Sequence, residues 1–242
     1  MYLTETQAMP QQLSSNTDRA SFKRLIRLTP EFQIIDQHHN YRDEVQSYIQ
    51  EKFQQSYGAV VNEFLDYLLS MNCPAGLSGV AGISMAADKV LFLEQYFDAP
   101  VEVELSQALG KKVERSAIVE IGNLVATTRG ASVALFVILA STLYRAGYEH
   151  MVFTASGQLS SQFKKLGFET RAIKAANPEC LSDNSLSDWG SYYDSEPEVL
   201  VGNLQEAMEL ISSRNLFSGL QAVFASSIDA LVEKMPGRQR ET

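Results

Sequence analysis

Residues 119–143 read VEIGNLVATTRGASVALFVILASTL. Residues 117–126, AIVEIGNLVA, form the strongest candidate for a central strand, an apolar run closed by a turn at Thr127-Thr128-Arg129-Gly130. Ala131 to Tyr144 then reads as a helix that is apolar on nearly every side, so it belongs inside the fold. Strand, turn and buried helix in that order gather backbone N–H groups at a helix start, with small side chains around them. Such a nest suits phosphate or pyrophosphate, and Arg129 adds a positive charge. The turn fits equally an ordinary left-handed bend with a solvated arginine.

Upstream, a short apolar run between Arg24 and Ile35 reads as a first strand. Asn40 is placed to cap an amphipathic helix, in which Val45, Tyr48, Ile49, Phe53 and Tyr57 recur at helical spacing and Gly58 supplies the stop. Val60 to Leu69 reads as a strand or strand pair. Leu77 to Met85 reads as a small-residue strand whose glycines let a backbone or ligand approach closely. A short helix, Val101 to Leu109, stops at Gly110. Downstream come a strand at Val152–Ala155, a helix at Leu159–Leu166 stopped by Gly167, and a strand at Phe168–Lys174. A polar loop follows at 177–190, and Gly190–Tyr193 reads as a last strand or edge. From Asn203 the pattern is helical, and Leu216, Leu220, Phe224, Ile228 and Leu231 share one stripe. That stripe either covers the domain's own core or forms a homodimer seam. Strands alternating with helices indicate an α/β class.

Composition narrows the function. With 242 residues, 45% of them hydrophobic and 20% charged, the chain is globular rather than disordered. A formal charge of −9 disfavours nucleic acid and anionic lipid as general partners. Two cysteines, Cys73 and Cys180, and three histidines are too few for a disulfide scaffold or a His-rich metal site. The opening residues lack a basic start followed by an apolar core, so the reading expects a cytoplasmic protein with reduced thiols.

Glu120 is the preferred general base. It stands in an otherwise apolar strand, where burial would raise its pKa and let it take a proton. The alternative turns Glu120 to solvent or pairs it with Arg115. Glu94 and Tyr96 follow an apolar run and either line a cleft or stabilise a loop. Trp189 either packs over the same cleft or belongs to the core.

These parts, with the Leu-Gly-Phe junction at 166–168, resemble the second half of the GNAT acyltransferase superfamily. At finer grain the chain is similar to the thermostable hemolysin family. The residues that carry this are Tyr57-Gly58, LFLEQYFDAPVE (91–102), RSAIVEIGNL (115–124), VFTAS (152–156) with FKKLGF (163–168), and DWGSYYDSEPEVLVGNL (188–204). Arg42-Asp43 and Glu120 give a fainter resemblance to acyl-homoserine-lactone synthases.

The resemblance implies a GNAT-like mixed, splayed central sheet flanked by helices, with an added C-terminal helical segment. Its expected division is a flexible leader at 1–21, an acyltransferase domain at 22–202 and a helical extension at 203–242. The implied activity moves an acyl group from acyl-CoA or an acyl-carrier protein to a small amine, with no metal, no nucleic acid and no integral membrane segment. Backbone groups of Asn123, Leu124 and Val125 would pair with the pantetheine arm, and Thr127, Thr128, Arg129, Gly130, Ala131 and Ser132 would hold the pyrophosphate. Glu94, Tyr96, Trp189 and Tyr192 would contact the acceptor. Two departures stand out. Anchored on Gly130, the turn has Thr127 and Ser132 where the superfamily has Gln or Arg and Gly or Ala. Phe163 occupies the position of a tyrosine that protonates the leaving thiolate, so either another group such as Tyr192 or Tyr193 does so, the thiolate leaves unassisted, or the protein is no longer an enzyme. Two other functions share the resemblance: a hemolysin acting directly on membranes, and a non-catalytic acyl-binding relative.

Overall fold

The computed structural model describes residues 29–126, 130–181 and 185–237. Among these residues seven strands form one sheet: β1 (Glu31–Ile35), β2 (Tyr67–Cys73), β3 (Gly76–Met85), β4 (Ile118–Ala126), β5 (His150–Ala155), β6 (Thr170–Ala175) and β7 (Glu198–Asn203), in the order β1-β2-β3-β4-β5-β7-β6. All neighbours are antiparallel except β4 and β5, which run parallel at the centre. The helix α3 (Ala131–Arg145) is the crossover between those two strands.

Helices cover both faces. On one lie α1 (Arg42–Tyr57) and α2 (Val101–Leu109); α1 packs over Leu68, Val80 and Val125, and α2 over Ile118 and Val152. On the other lies α3, with eleven buried residues, joined by α4 (Gly157–Leu166), α5 (Leu204–Ser213), α6 (Asn215–Val223) and α7 (Ala225–Lys234). Phe217, Leu220, Phe224, Ile228 and Leu231 share one apolar core with Leu135 and Ile138. The C-terminal stripe therefore covers the chain's own core. No single helix among the described residues is long and apolar enough to cross a membrane. Helices α6 and α7 pass that test only together, and they are bent by 65°.

Four local readings need correction. The helix α1 opens two residues after Asn40, with Tyr41 at its N-cap and no side-chain cap; Asp43 and Glu44 in its first turn complement the dipole instead. Gly190–Tyr193 is no strand, because Gly190 has φ +51° and Tyr192–Ser195 closes a 3-10 turn. The last strand is β7, a run buried between β5 and β6 and therefore without polar alternation. Finally, Val60–Leu69 is mostly not a strand, since β2 begins at Tyr67.

The segment before Tyr67 is instead held by side chains, chiefly those of Arg42 and Asn123, with Gln50 donating to the Val61 carbonyl at 2.9 Å and the Ser84 hydroxyl accepting the Asp66 amide at 3.2 Å. Arg42 donates to the carbonyls of Leu65 and Asp66 at 2.8 Å each. Asn123 accepts from the Leu65 amide at 2.9 Å and donates to the Glu63 carbonyl at 3.1 Å. Asn123 sits at φ +45° in a bulge of β4, where the register with β3 shifts between Val80 and Gly82. Asparagine tolerates that left-handed backbone better than alanine. Gly82 makes room for the bulge, since a Cβ there would stand 2.8 Å from Asn123 Oδ1. Replacing Asn123 with Ala is expected to cost about 2–4 kcal/mol, from left-handed strain and two lost hydrogen bonds. Urea unfolding measures this, and Asn123→Gly should recover only the conformational part.

Candidate active site

The parallel ladder between β4 and β5 runs from Ile118–His150 to Ile121–Phe153 and stops there. Both strands continue, β4 to Ala126 against β3 and β5 to Ala155 against β7. The sheet is therefore split between its two central strands after Ile121, where β4 carries the bulge at Asn123. A cavity of about 150 Å³ occupies the split. Phe53, Tyr57, Phe92, Trp189 and Tyr192 line it from the face of α1, and Leu135, Phe136, Leu139, Phe153 and Phe163 from the face of α3. It is thus a passage through the sheet rather than a groove on one side. Ala126 and Ser132, on either side of Gly130, also line it. The cavity accordingly reaches the start of α3, where first-turn amides have no partner within the helix. Gly130, at φ +82°, is the N-cap.

Glu120 lines the same cavity and is only 4% exposed. Its two carboxylate oxygens accept the amides of Phe92 at 2.8 Å and Leu93 at 3.1 Å. Burial pushes its carboxyl up to about 7, against the smaller downward pull of those two amides and of Lys89. Each oxygen keeps a lone pair for a further proton or donor. Arg115 does not pair with it. That guanidinium instead binds Glu94 at 2.5 Å and Glu102 at 2.7 Å.

The other sequence-selected residues divide. Trp189 and Tyr192 line the cavity. Burial raises the Tyr192 phenol above its ordinary range, so it stays protonated as an O–H donor. Glu94 and Tyr96 do not line it. Glu94 accepts the amides of Leu91 at 2.8 Å and Val101 at 3.0 Å, closing the 3-10 turn Phe92–Tyr96. Burial works upward on its carboxyl, but the hydrogen bonds from Arg115 and those amides outweigh it and hold the group low. Tyr96 is buried, its hydroxyl 2.5 Å from that of Tyr193. Asn123 and Leu124 line the cavity, whereas Val125 is fully buried against the α1 side. Ala131 is buried at the start of α3. Thr127, Thr128 and Arg129 lie outside the described residues.

Sequence reasoning passed over Phe53 and Phe92 as wall residues, and Gly190 as the residue that seats the wall. Gly190 packs against Tyr57, with the Tyr57 carbonyl accepting the Ser191 amide at 2.8 Å. The Val60 amide donates to the Asp188 carbonyl at 2.6 Å. Residues 188–191 thus strap across the end of α1. The one available signal was the pairing of Tyr57-Gly58 with Trp189-Gly190, two aromatic–glycine steps far apart in sequence.

A mixed sheet split at its parallel central pair, with a buried carboxylate beside the split and a helix start at its end, defines a GNAT-like fold. Two solved structures share that fold. One is BjaI, a CoA-dependent acyl-homoserine lactone synthase seen with SAM and isopentyl-CoA, at TM-score 0.52 and 11% identity, covering 88% of this chain and 93% of that one. The other is FeeM, an N-acyl amino acid synthase from uncultured soil microbes, at TM-score 0.51 and 13% identity, covering 77% and 96%. At such identities the likeness establishes fold alone. The profile of the family described as Thermostable hemolysin matches residues 35–208, and the chain belongs to that family. No curated protein matches the sequence significantly.

Proposed function

We propose that the protein is an N-acyltransferase that moves an acyl group from an acyl thioester to an amine. The observation that carries this is the cavity running through the split sheet from Ser132 to Glu120. The donor's pantetheine arm would lie along Asn123 and Leu124, with its phosphates toward the start of α3 and its acyl tail among Leu135, Phe136 and Phe153. The acceptor would enter from the Trp189 side. Its nitrogen lone pair forms a C–N bond at the thioester carbonyl carbon, and the C–S bond breaks. The nitrogen's proton passes to Glu120, and the leaving thiolate takes one from the Tyr192 hydroxyl or from water. The two solved relatives are named as CoA-dependent or N-acyl synthases, which supports the reading.

The test adds a saturated acyl-CoA series and acyl-carrier protein to the purified chain. A donor at one hundred times its Kd is expected to raise Tm by roughly 5–10 °C. An amine mixture should then release free thiol. Absence of both effects across all chain lengths would count against the proposal. Phe163 supports a second reading, an acyl-binding protein without turnover, which stabilisation without thiol release would select.

A further inference from the structure

We infer that the acceptor is a primary amine with an aromatic or apolar body and no carboxylate, seated between Glu120 and the aromatic wall. This rests on the acyl-transfer reading and names the substrate class of that same cavity. The wall is continuous. Tyr57 meets Tyr192 at 5.3 Å between ring centroids, Tyr192 meets Trp189 at 5.3 Å, and Trp189 meets Phe92 at 6.0 Å. At its end the Phe92 amide is bound to the Glu120 carboxylate. Apolar rings with one carboxylate at their edge match a flat body that carries an ammonium head. The carboxylate takes the head's N–H groups, and the rings add cation–π attraction until the head gives one proton to water and becomes the free amine whose lone pair attacks.

The same wall disfavours an amino acid. Among the described residues that line the cavity, Glu120 is the only charged side chain. An acceptor carboxylate would be stripped of water beside another carboxylate, with no described lining cation to pair with it. Three cations among the described residues are committed elsewhere. Arg115 binds Glu94 and Glu102, Lys89 binds Asp66 at 2.9 Å, and Arg42 donates to backbone carbonyls.

Matched pairs isolate the carboxylate: phenethylamine against phenylalanine, and tyramine against tyrosine. Each is supplied with the acyl-CoA series, and both thiol release and the mass of the N-acyl product are read. The amines should exceed the amino acids in kcat/KM by about 100-fold or more, as an unpaired buried charge demands. Equal rates, or a preference for the amino acids, would overturn this inference and leave acyl transfer standing. No thiol release and no acylated product with any donor would remove acyl transfer and this inference with it. A second measurement needs no turnover. Phenethylamine should change the emission of Trp189, the chain's single tryptophan, at concentrations at least tenfold below those phenylalanine needs. Indistinguishable titrations would also overturn the inference.

Discussion

Replacing Glu120 with Gln is expected to lower turnover by about 10²–10⁴-fold while donor binding persists. The wild-type rate should rise with pH through about 7, where burial has placed this carboxyl, because only the ionised form accepts a proton. Lys89 pulls that value down and Glu94 pushes it up, and both are weaker than burial. The ascending limb should vanish in E120Q. A structural role alone would not remove it.

The same shift makes a stability prediction. In the unfolded chain the Glu120 carboxyl ionises near 4.5, whereas in the folded chain it holds its proton to about 7. Between those values the native state binds more protons than the unfolded state, so this group's contribution falls as pH rises and then levels off. The loss amounts to a few kcal/mol. Glutamine does not titrate, but it offers one oxygen where two amides need acceptors, so E120Q begins less stable at pH 4.5. The stability gap between E120Q and wild type should narrow between pH 4.5 and 7. Urea unfolding at several pH values measures it, and a constant gap contradicts the assignment.

Replacing Gly190 with Ala is the second large effect. A Cβ at this position would stand 2.0 Å from the Tyr57 carbonyl oxygen, and Gly190 is at φ +51°. The strain of a non-glycine residue there is about 1–3 kcal/mol, and relieving the clash pushes the strap off α1. The Ser191–Tyr57 and Asp188–Val60 hydrogen bonds go with it. The expected cost is about 2–4 kcal/mol of stability, from strain and lost hydrogen bonds together. A red shift of Trp189 emission and at least a tenfold rise in acceptor KM should accompany it. Gly219, inside α6, is the control: nothing lies within 4 Å of its Cβ position, so alanine there should stabilise by about 0.5–1 kcal/mol. Unchanged Trp189 emission in G190A would contradict the strap.

Long, strongly patterned elements were legible from the residues. The β4 strand and α3 helix follow from AIVEIGNLVA and the apolar run after Gly130, because burial on both faces leaves only apolar positions. Glycine stops at Gly58, Gly110 and Gly167 fall where the helices end, each in a left-handed conformation. Residues 60–66 misled because their apolar content suits a strand, while their backbone is bonded mostly by side chains, those of Arg42, Gln50, Ser84 and Asn123, rather than by a neighbouring strand. The YY pair misled in the same way: Tyr192 serves the wall and Tyr193 is buried against Tyr96, and neither joins a ladder. Glu120 was legible as a polar residue in an apolar strand, but Glu94, equally suggestive, proved to be committed to Arg115 and two backbone amides.

The sequence by itself determined which segments must be buried and where the chain must turn, since hydrophobic periodicity and glycine conformation are local properties. The tertiary structure alone decided that β4 parts from β5 after Ile121, that the parting opens through both faces, and that Trp189 comes to stand near Glu120. Those outcomes depend on hydrogen bonds and ring contacts between residues dozens of positions apart, and no local pattern encodes which distant partner a buried polar group will find.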